Sequence, residues 1–348
     1  MQNVISVGIA GFGMSAKTFH FPFLHLDPRF QIKKVFERQS EKAKQHYAYV
    51  EVVHQFEQLL TDEIDLVIIT TPNQTHYTLA KQAILAGKHV IVEKPMAIYP
   101  EQVQELDELA KNNHVTLSVY QNRRWDNGAL TVKKLIETDQ LGEIVEYEMR
   151  FERYAPHKNP KAWKETGEFG TGLVYDLGVH LIDHVVDLFG LPTALYADVL
   201  KQNPHSGSDD HFRITFYYNT KKVILSATKC AREPAPYIML HGKKGSYIQK
   251  QFDNQEALLI QGIAPQHDWN KVKEEDWGIL HTEADGNVIR QTIEPERGHY
   301  QAYYDNIYQV LTQHAPLLVT AQQAYHVLKL IKLVYQSAKS GQKITVSL

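Results

Sequence analysis

The sequence has 348 residues, of which 43% are hydrophobic and 22% charged, with a formal net charge of −3. This is enough chain for two domains of ordinary size, with the composition of a soluble globular protein. The near-neutral charge without long Lys/Arg runs argues against nucleic acid or an anionic membrane as the main partner. A single cysteine, Cys230, cannot close an internal disulfide and fits a reducing compartment. No run approaches the roughly 20 apolar residues of a membrane span. The N-terminus lacks the basic region of a signal peptide, and a glycine turn arrives by Gly11, so the expected location is cytoplasmic.

In chain order, short β-branched runs first alternate with helical patterns. Strands are predicted at 4–10, 31–36, around Val52, 65–70, 89–92 and 115–120. The helices between them are 15–26 (bent or ended by Pro22), 40–47, 56–60, 75–86 (stopped by Gly87) and one opened by Pro100. That last helix carries Val103, Leu106 and Ala110 on one face. Strands alternating with helices mean βαβ units and a parallel sheet, here the doubly wound Rossmann arrangement.

After Tyr120 the rhythm changes. A helix at 126–138 precedes a strand at 144–151, and a long helix at 172–189 stops at Gly190. Strands follow at 194–200, 212–218, 222–228, 237–241 and 246–250, with hairpin connections at 218–221 and 242–245. Residues 255–296 read as loop-rich. Thr320 and Gln323 form a capping-box pattern ahead of a final helix that ends at Gly341. The expected fold is α/β: a Rossmann domain over residues 1–122, then an α+β domain over 123–348 with a large, mostly antiparallel open sheet. That sheet's uncovered face predicts a homo-oligomer, with a dimer favoured.

The turn Gly11-Phe12-Gly13-Met14-Ser15-Ala16 has the form G-x-G-x-x-A between a strand and a helix. Backbone N–H groups at such a helix start stabilise a pyrophosphate. Gly11 permits the sharp turn, Gly13 the close approach, and Ala16 is small enough for the helix to pack on the strand. An ordinary strand-to-helix turn could carry the same glycines, so context decides. Glu37 ends the second strand about 20 residues further on, where an acidic side chain accepts from ribose hydroxyls and favours NAD. Its neighbour Arg38 would instead attract the 2′-phosphate of NADP. The cofactor is therefore NAD or NADP, with Glu37 tipping the reading towards NAD.

Two further segments carry chemistry. Lys94, in Glu93-Lys94-Pro95, follows the fifth strand, and ligands of open α/β sheets bind at the carboxyl ends of strands. Asp176 and His180, in Asp176-Leu177-Gly178-Val179-His180, are spaced to share a helix face. Separately, a lysine before proline or an Asp/His pair on a helix is an ordinary surface feature.

With these segments the chain resembles the Gfo/Idh/MocA oxidoreductase family over essentially its full length. The resemblance rests on the Gly11 turn, Thr71-Pro72-Asn73 with His76, Glu93-Lys94-Pro95, Tyr120-Gln121-Asn122-Arg123-Arg124-Trp125 and the Asp176/Gly178/His180 motif. The segment 122–126 looks most like the subgroup containing scyllo-inositol dehydrogenases. Ala16 in place of the usual third glycine is a mild departure. The resemblance implies an NAD(P)-dependent dehydrogenase acting on a CH–OH group of a sugar, inositol or related polyol bound between the domains. It implies that His180 is the base, that Lys94 steadies the reacting oxygen, and that Asp176 holds a neighbouring hydroxyl and pairs with Lys94. Pro72, Asn73, Glu93 and Lys94 would line the nicotinamide end, and Asn122, Arg123 and Trp125 would lie near substrate.

Two rival readings differ in class. One is a non-catalytic dinucleotide-binding sensor of the same fold. The other is a metal enzyme using His180 and His184 with Asp183 and Asp187 nearby; it lacks the Glu of a His-Glu-x-x-His motif, and no metal is expected. The late cluster Tyr300, Tyr303, Tyr304 and Tyr308 reads as core rather than substrate cage.

Overall fold

In the computed structural model, which describes residues 4–157, 165–284 and 286–348, the chain divides into two compact units. The first is Met1–Asn122, Gln255–Asn270 and Tyr300–Tyr325; the second is Arg123–Asn254, Lys271–His299 and His326–Leu348.

The first unit is built on β1 (Ile5–Ala10), α1 (Phe21–Leu26), β2 (Phe30–Phe36), α2 (Lys42–His46), β3 (Glu51–Val53), β4 (Leu66–Ile69), α3 (Asn73–Leu85), β5 (His89–Val92), α4 (Pro100–Asn112) and β6 (Leu117–Val119). The six strands pair in parallel in the order β3-β2-β1-β4-β5-β6. Every residue of β1 and β4 is buried, as expected where helices cover both faces of a parallel sheet. Strand order reverses between β1 and β4, and this switch point is where such sheets bind ligands. The helical run continues past Pro22, but it is irregular there: a π-helical turn, Ala16–His20, changes to the α-helix α1 just before Pro22. The helix expected at 56–60 is a single 3-10 turn, Phe56–Leu59.

The rest of the chain forms α5 (Asn127–Glu137), β7 (Ile144–Glu152), α6 (Val179–Phe189), β8 (Ala194–Leu200), β9 (His211–Tyr217), β10 (Lys222–Thr228), β11 (Ile238–Gly242) and β12 (Gly245–Gln249). There follow α7 (Gln255–Ile260), β13 (Gly278–Ala284), β14 (Asn287–Ile293), α8 (Gln301–Gln313), α9 (Ala321–Ser340) and β15 (Ile344–Thr345). The second unit's nine-stranded sheet runs β14-β13-β12-β11-β7-β10-β9-β8-β15, antiparallel except for the β7–β10 pair. Tyr147, Met149 and Phe151 of β7 and Phe212, Ile214 and Phe216 of β9 are buried. The alternate positions of β7 form a charged row in which Arg150 pairs with Glu148 and Glu152. Alternation of this kind marks a sheet with one face in the core.

The segment read as loop-rich contains α7 and the β13–β14 hairpin. The hairpin leaves little signal in the sequence because β14 is exposed along most of its length and has no hydrophobic period. Backbone pairing from Gly278–Ile293 to Ala284–Asn287 defines it instead. Gly278 starts β13 where a Cβ would lie 2.3 Å from the Tyr247 hydroxyl, so no larger residue fits. The capping box at α9 forms as expected: Thr320 N donates to Gln323 Oε1 and Gln323 N to Thr320 Oγ1.

α7 and α8 belong to the first unit. Tyr303 and Tyr304 of α8 are buried, and the Tyr304 ring lies 5.8 Å from Phe30 and 5.9 Å from Tyr120, so the tyrosine cluster is core.

Candidate active site

Parallel pairing sets the site of the first unit. Ala10 lies opposite Ile69, Ile69 opposite Val92, and Val92 opposite Val119. The next residues continue the ladder: Thr70, Glu93 and Tyr120 donate their N–H groups to Ala10, Ile69 and Val92, and Gly11 donates to Phe36. The glycine turn, the Thr71 loop and the Glu93-Lys94 loop therefore leave the sheet side by side at its carboxyl edge.

Gly11 has φ +98°, and a Cβ there would stand 3.1 Å from Thr70 Oγ1. A Cβ on Gly13 would meet nothing within 4 Å, which leaves its backbone open to a close-approaching phosphate. This cradle fits the pyrophosphate of a dinucleotide. Phe12 contributes backbone alone, because its ring packs edge-on against Phe21 at 5.0 Å. Met14 is exposed, Ala16 is buried against the sheet, and the Ser15 hydroxyl donates to Glu93.

Glu37 is 7% exposed, and its carboxylate accepts from Ala43 N at 2.7 Å and from the Ser40 hydroxyl. The side chain expected to accept from ribose also braces its own loop. Arg38 beside it is exposed.

The Thr71 loop and the Lys94 loop are joined by His76. This buried ring lies 2.7 Å through Nε2 from the Thr71 carbonyl and 2.8 Å through Nδ1 from the Pro95 carbonyl. Burial holds its pKa below the ordinary value despite those acceptors. Pro72 is exposed and Asn73 half-buried at the start of α3. Glu93 is buried, while Lys94 is half-buried.

In the second unit, Asp176 lies in a π-helical turn, Val174–Gly178, that runs directly into α6 with His180 in its first turn. Such π turns occur frequently at functional sites. Asp176 lines a small polar pocket together with Glu165, Ser208, Asp209 and Lys229. Asn122 closes the first unit's opening segment, and Arg123 and Trp125 lie on the same 3-10 turn. Arg123 stacks over Phe151 at 5.1 Å and reaches Asp126, and Trp125 O accepts from His299 N.

Three residues not singled out as site residues from the sequence turn out to organise these segments. His20 and Tyr304 hold Glu93 from behind, and Arg124 grips α6 through Asp183 and Asp187. The chain places these partners far apart, so local pattern carries no signal for the pairings. The side chains of the metal reading are engaged otherwise: Asp183 and Asp187 pair with Arg124, and His184 Nε2 meets the Tyr147 hydroxyl at 2.9 Å. No group of three or more His, Cys, Asp and Glu placed to hold a metal occurs among the described residues.

Burial, aided by the Arg124 charge, lowers the His184 pKa to about 3. An unfolded histidine binds its proton near pH 6.5, so the unfolded state takes up protons first. The stability this group contributes is present above that value and is lost as pH falls from about 6.5 towards 3. The decline of melting temperature between about pH 6.5 and pH 5 is expected to be shallower in His184→Gln than in the wild type; parallel curves would remove His184 from the acid sensitivity.

Comparisons with known proteins show the family. A family model described as an oxidoreductase family, NAD-binding Rossmann fold, matches residues 5–121. A second, the C-terminal alpha/beta domain of that oxidoreductase family, matches residues 133–347. The chain belongs to the Gfo/Idh/MocA oxidoreductase family. Among its relatives is the scyllo-inositol 2-dehydrogenase (NADP(+)) IolW of Bacillus subtilis, 37% identical over 98% of this chain and 96% of that protein. The uncharacterised oxidoreductase YdgJ of Escherichia coli is 38% identical over 97% of this chain and 98% of its own length. The solved structure of the oxidoreductase yvaA from Bacillus subtilis superposes with a TM-score of 0.96 at 36% identity, covering 100% of this chain and 99% of that one. Members of this family share an NAD(P)-binding Rossmann domain, here the first unit's sheet. No helix among the described residues is long and apolar enough to cross a membrane.

Proposed function

We propose that the protein transfers a hydride between NADP(H) and a secondary alcohol or ketone of an inositol, sugar or related polyol. The observation that carries this reading is Lys94, a half-buried residue on the same sheet edge as the glycine turn, whose backbone N–H donates to the buried Glu93 carboxylate and whose charge lowers the pKa of that carboxylate. In the oxidising direction the substrate CH–OH loses a hydride from carbon and a proton from oxygen, leaving a carbonyl. What the dinucleotide supplies when bound is the hydride acceptor and donor. In this proposal Lys94 donates to the reacting oxygen and steadies the negative charge that grows there. His180 takes the hydroxyl proton and returns it in reduction. Asp176 accepts from an adjacent hydroxyl. The relative's name, scyllo-inositol 2-dehydrogenase (NADP(+)), supports the substrate class. A second copy of the chain covering the open sheet face, giving a homodimer, is part of the same reading.

The choice of NADP over NAD rests on Glu37 and Arg38. Glu37 is buried and committed to Ser40 and Ala43, whereas Arg38 is exposed beside it. A 2′-phosphate would find a guanidinium there. Arg38→Ala is expected to weaken NADPH binding about tenfold or more, while NADH affinity changes less than about threefold. Fluorescence titration with both cofactors checks this; an unchanged NADPH affinity would turn the assignment back to NAD.

The reaction itself is tested by following NAD(P)H absorbance with inositols, sugars and their keto forms, using both cofactors. Tight dinucleotide binding with no turnover across that panel would favour the non-catalytic sensor.

A further inference from the structure

Lys94 is tied to the rest of its unit through its neighbour. Glu93 Oε2 accepts the Lys94 N–H at 3.1 Å, while Oε1 accepts the Ser15 hydroxyl and lies 3.1 Å from His20 Nε2. The Glu93 side chain therefore links the glycine turn to the lysine loop. Behind it, His20 is 0% exposed, with its ring 4.3 Å from that of Tyr120 and its Nδ1 2.6 Å from the Tyr304 hydroxyl. A carboxylate only accepts, so the ring proton on Nε2 points at Glu93, and Tyr304 partners the other nitrogen. Tyr304 is on α8, brought to this sheet from late in the chain.

We propose that His20 is a positioning residue for Lys94: anchored by Tyr304, it holds the Glu93 carboxylate in the orientation that fastens the Lys94 backbone to the glycine turn at Ser15. This rests on the catalytic reading of Lys94 given above. The electrostatics support the geometry. Burial alone would raise the Glu93 pKa, but the hydrogen bond and charge of His20, the Ser15 hydroxyl and the charge of Lys94 bring it below the ordinary carboxylate value. The other titratable groups facing Glu93 are His76 of the α3 loop, Tyr120 after β6 and Tyr304 of α8.

The consequences have a definite sign. A carboxylate with a depressed pKa contributes stability that is present at neutral pH and lost as pH falls through its folded value. In His20→Phe, burial is less opposed, the Glu93 pKa rises, and its charge is penalised. The melting temperature of His20→Phe is expected to fall below the wild type at pH 8, and the gap is expected to shrink by half or more when both proteins carry Glu93→Gln.

The second arm is kinetic, with scyllo-inositol and NADP+ as the assay pair. His20→Phe is expected to lower kcat about tenfold in the wild-type background and hardly at all in a Lys94→Ala background, since coupled residues are not additive. His20→Gln, whose amide nitrogen can take the place of Nε2, should recover part of the loss. NADPH affinity, read by fluorescence, should change less than about threefold in both His20 variants. Equal losses in the Phe and Gln variants, a full loss persisting without Lys94, or a melting gap unchanged by Glu93→Gln would each overturn the proposal. If the wild type does not use this pair, the polyol and cofactor it turns over in the panel take their place; if Lys94→Ala turns over like the wild type, or the wild type uses no member of the panel, the function reading fails instead. The melting arm then decides by itself whether His20 holds Glu93.

Discussion

Lys94→Ala is expected to lower kcat about a hundredfold or more while NADPH affinity stays within about threefold of the wild type. The ammonium of Lys94 is asked to stabilise charge that exists on the substrate oxygen only as the hydride departs. An interaction made in the transition state and not in the ground state appears in kcat rather than in cofactor binding. The glycine turn, which is proposed to carry the pyrophosphate, is untouched by the substitution, so binding serves as an internal control for folding. His180→Ala is expected to fall by a similar factor through loss of the proton acceptor. Steady-state kinetics with fluorescence-measured binding decides the matter, and turnover near the wild type in both variants would refute the assigned roles.

The second large effect concerns stability. Arg124 and Asp183 form a buried, two-pronged ion pair: Nε meets Oδ2 and Nη2 meets Oδ1, both at 2.7 Å, with side chains 6% and 3% exposed. Arg124 Nη1 also reaches Asp187 Oδ1 at 2.9 Å. Burial pushes the Asp183 pKa up, and Arg124 opposes that rise without cancelling it. Arg124→Met would leave a carboxylate buried among apolar neighbours of α6 with its main counter-charge gone. The expected cost is about 3–5 kcal/mol in urea unfolding at neutral pH. The loss should shrink in acid, where Asp183 protonates and no longer demands a partner. Adding Asp183→Leu to Arg124→Met should return much of the stability, because the pair's favourable energy is largely offset by its desolvation. A loss below about 1 kcal/mol in the single variant would mean that water solvates Asp183 more freely than the burial indicates. Since α6 carries His180 one turn before His184, this pair also holds the proposed base in place.

Much of the fold is legible in the sequence because it depends on local periodicity. Alternating β-branched runs and helical patterns specify the parallel sheet, and Gly87, Pro100 and the Thr320–Gln323 box mark helix ends by their own backbone chemistry. The proposed site residues Gly11, Lys94, Asp176 and His180 are legible by their positions after strands or along one helical run. The β13–β14 hairpin is not legible, since its outer strand is held by backbone bonds and carries little hydrophobic signal.

The opening turn and its carboxylates show where local reading ends. By itself the sequence determined that a glycine turn follows β1 and that Glu37, Glu93 and Asp183 are available as charges. Only the tertiary structure decided what each charge does. Glu37 folds back on Ser40 and Ala43, Glu93 joins Ser15 to His20, and Asp183 takes Arg124. A buried carboxylate must find donors wherever packing brings them. His20 is 73 residues from Glu93 and Arg124 is 59 residues from Asp183, distances at which no sequence period applies.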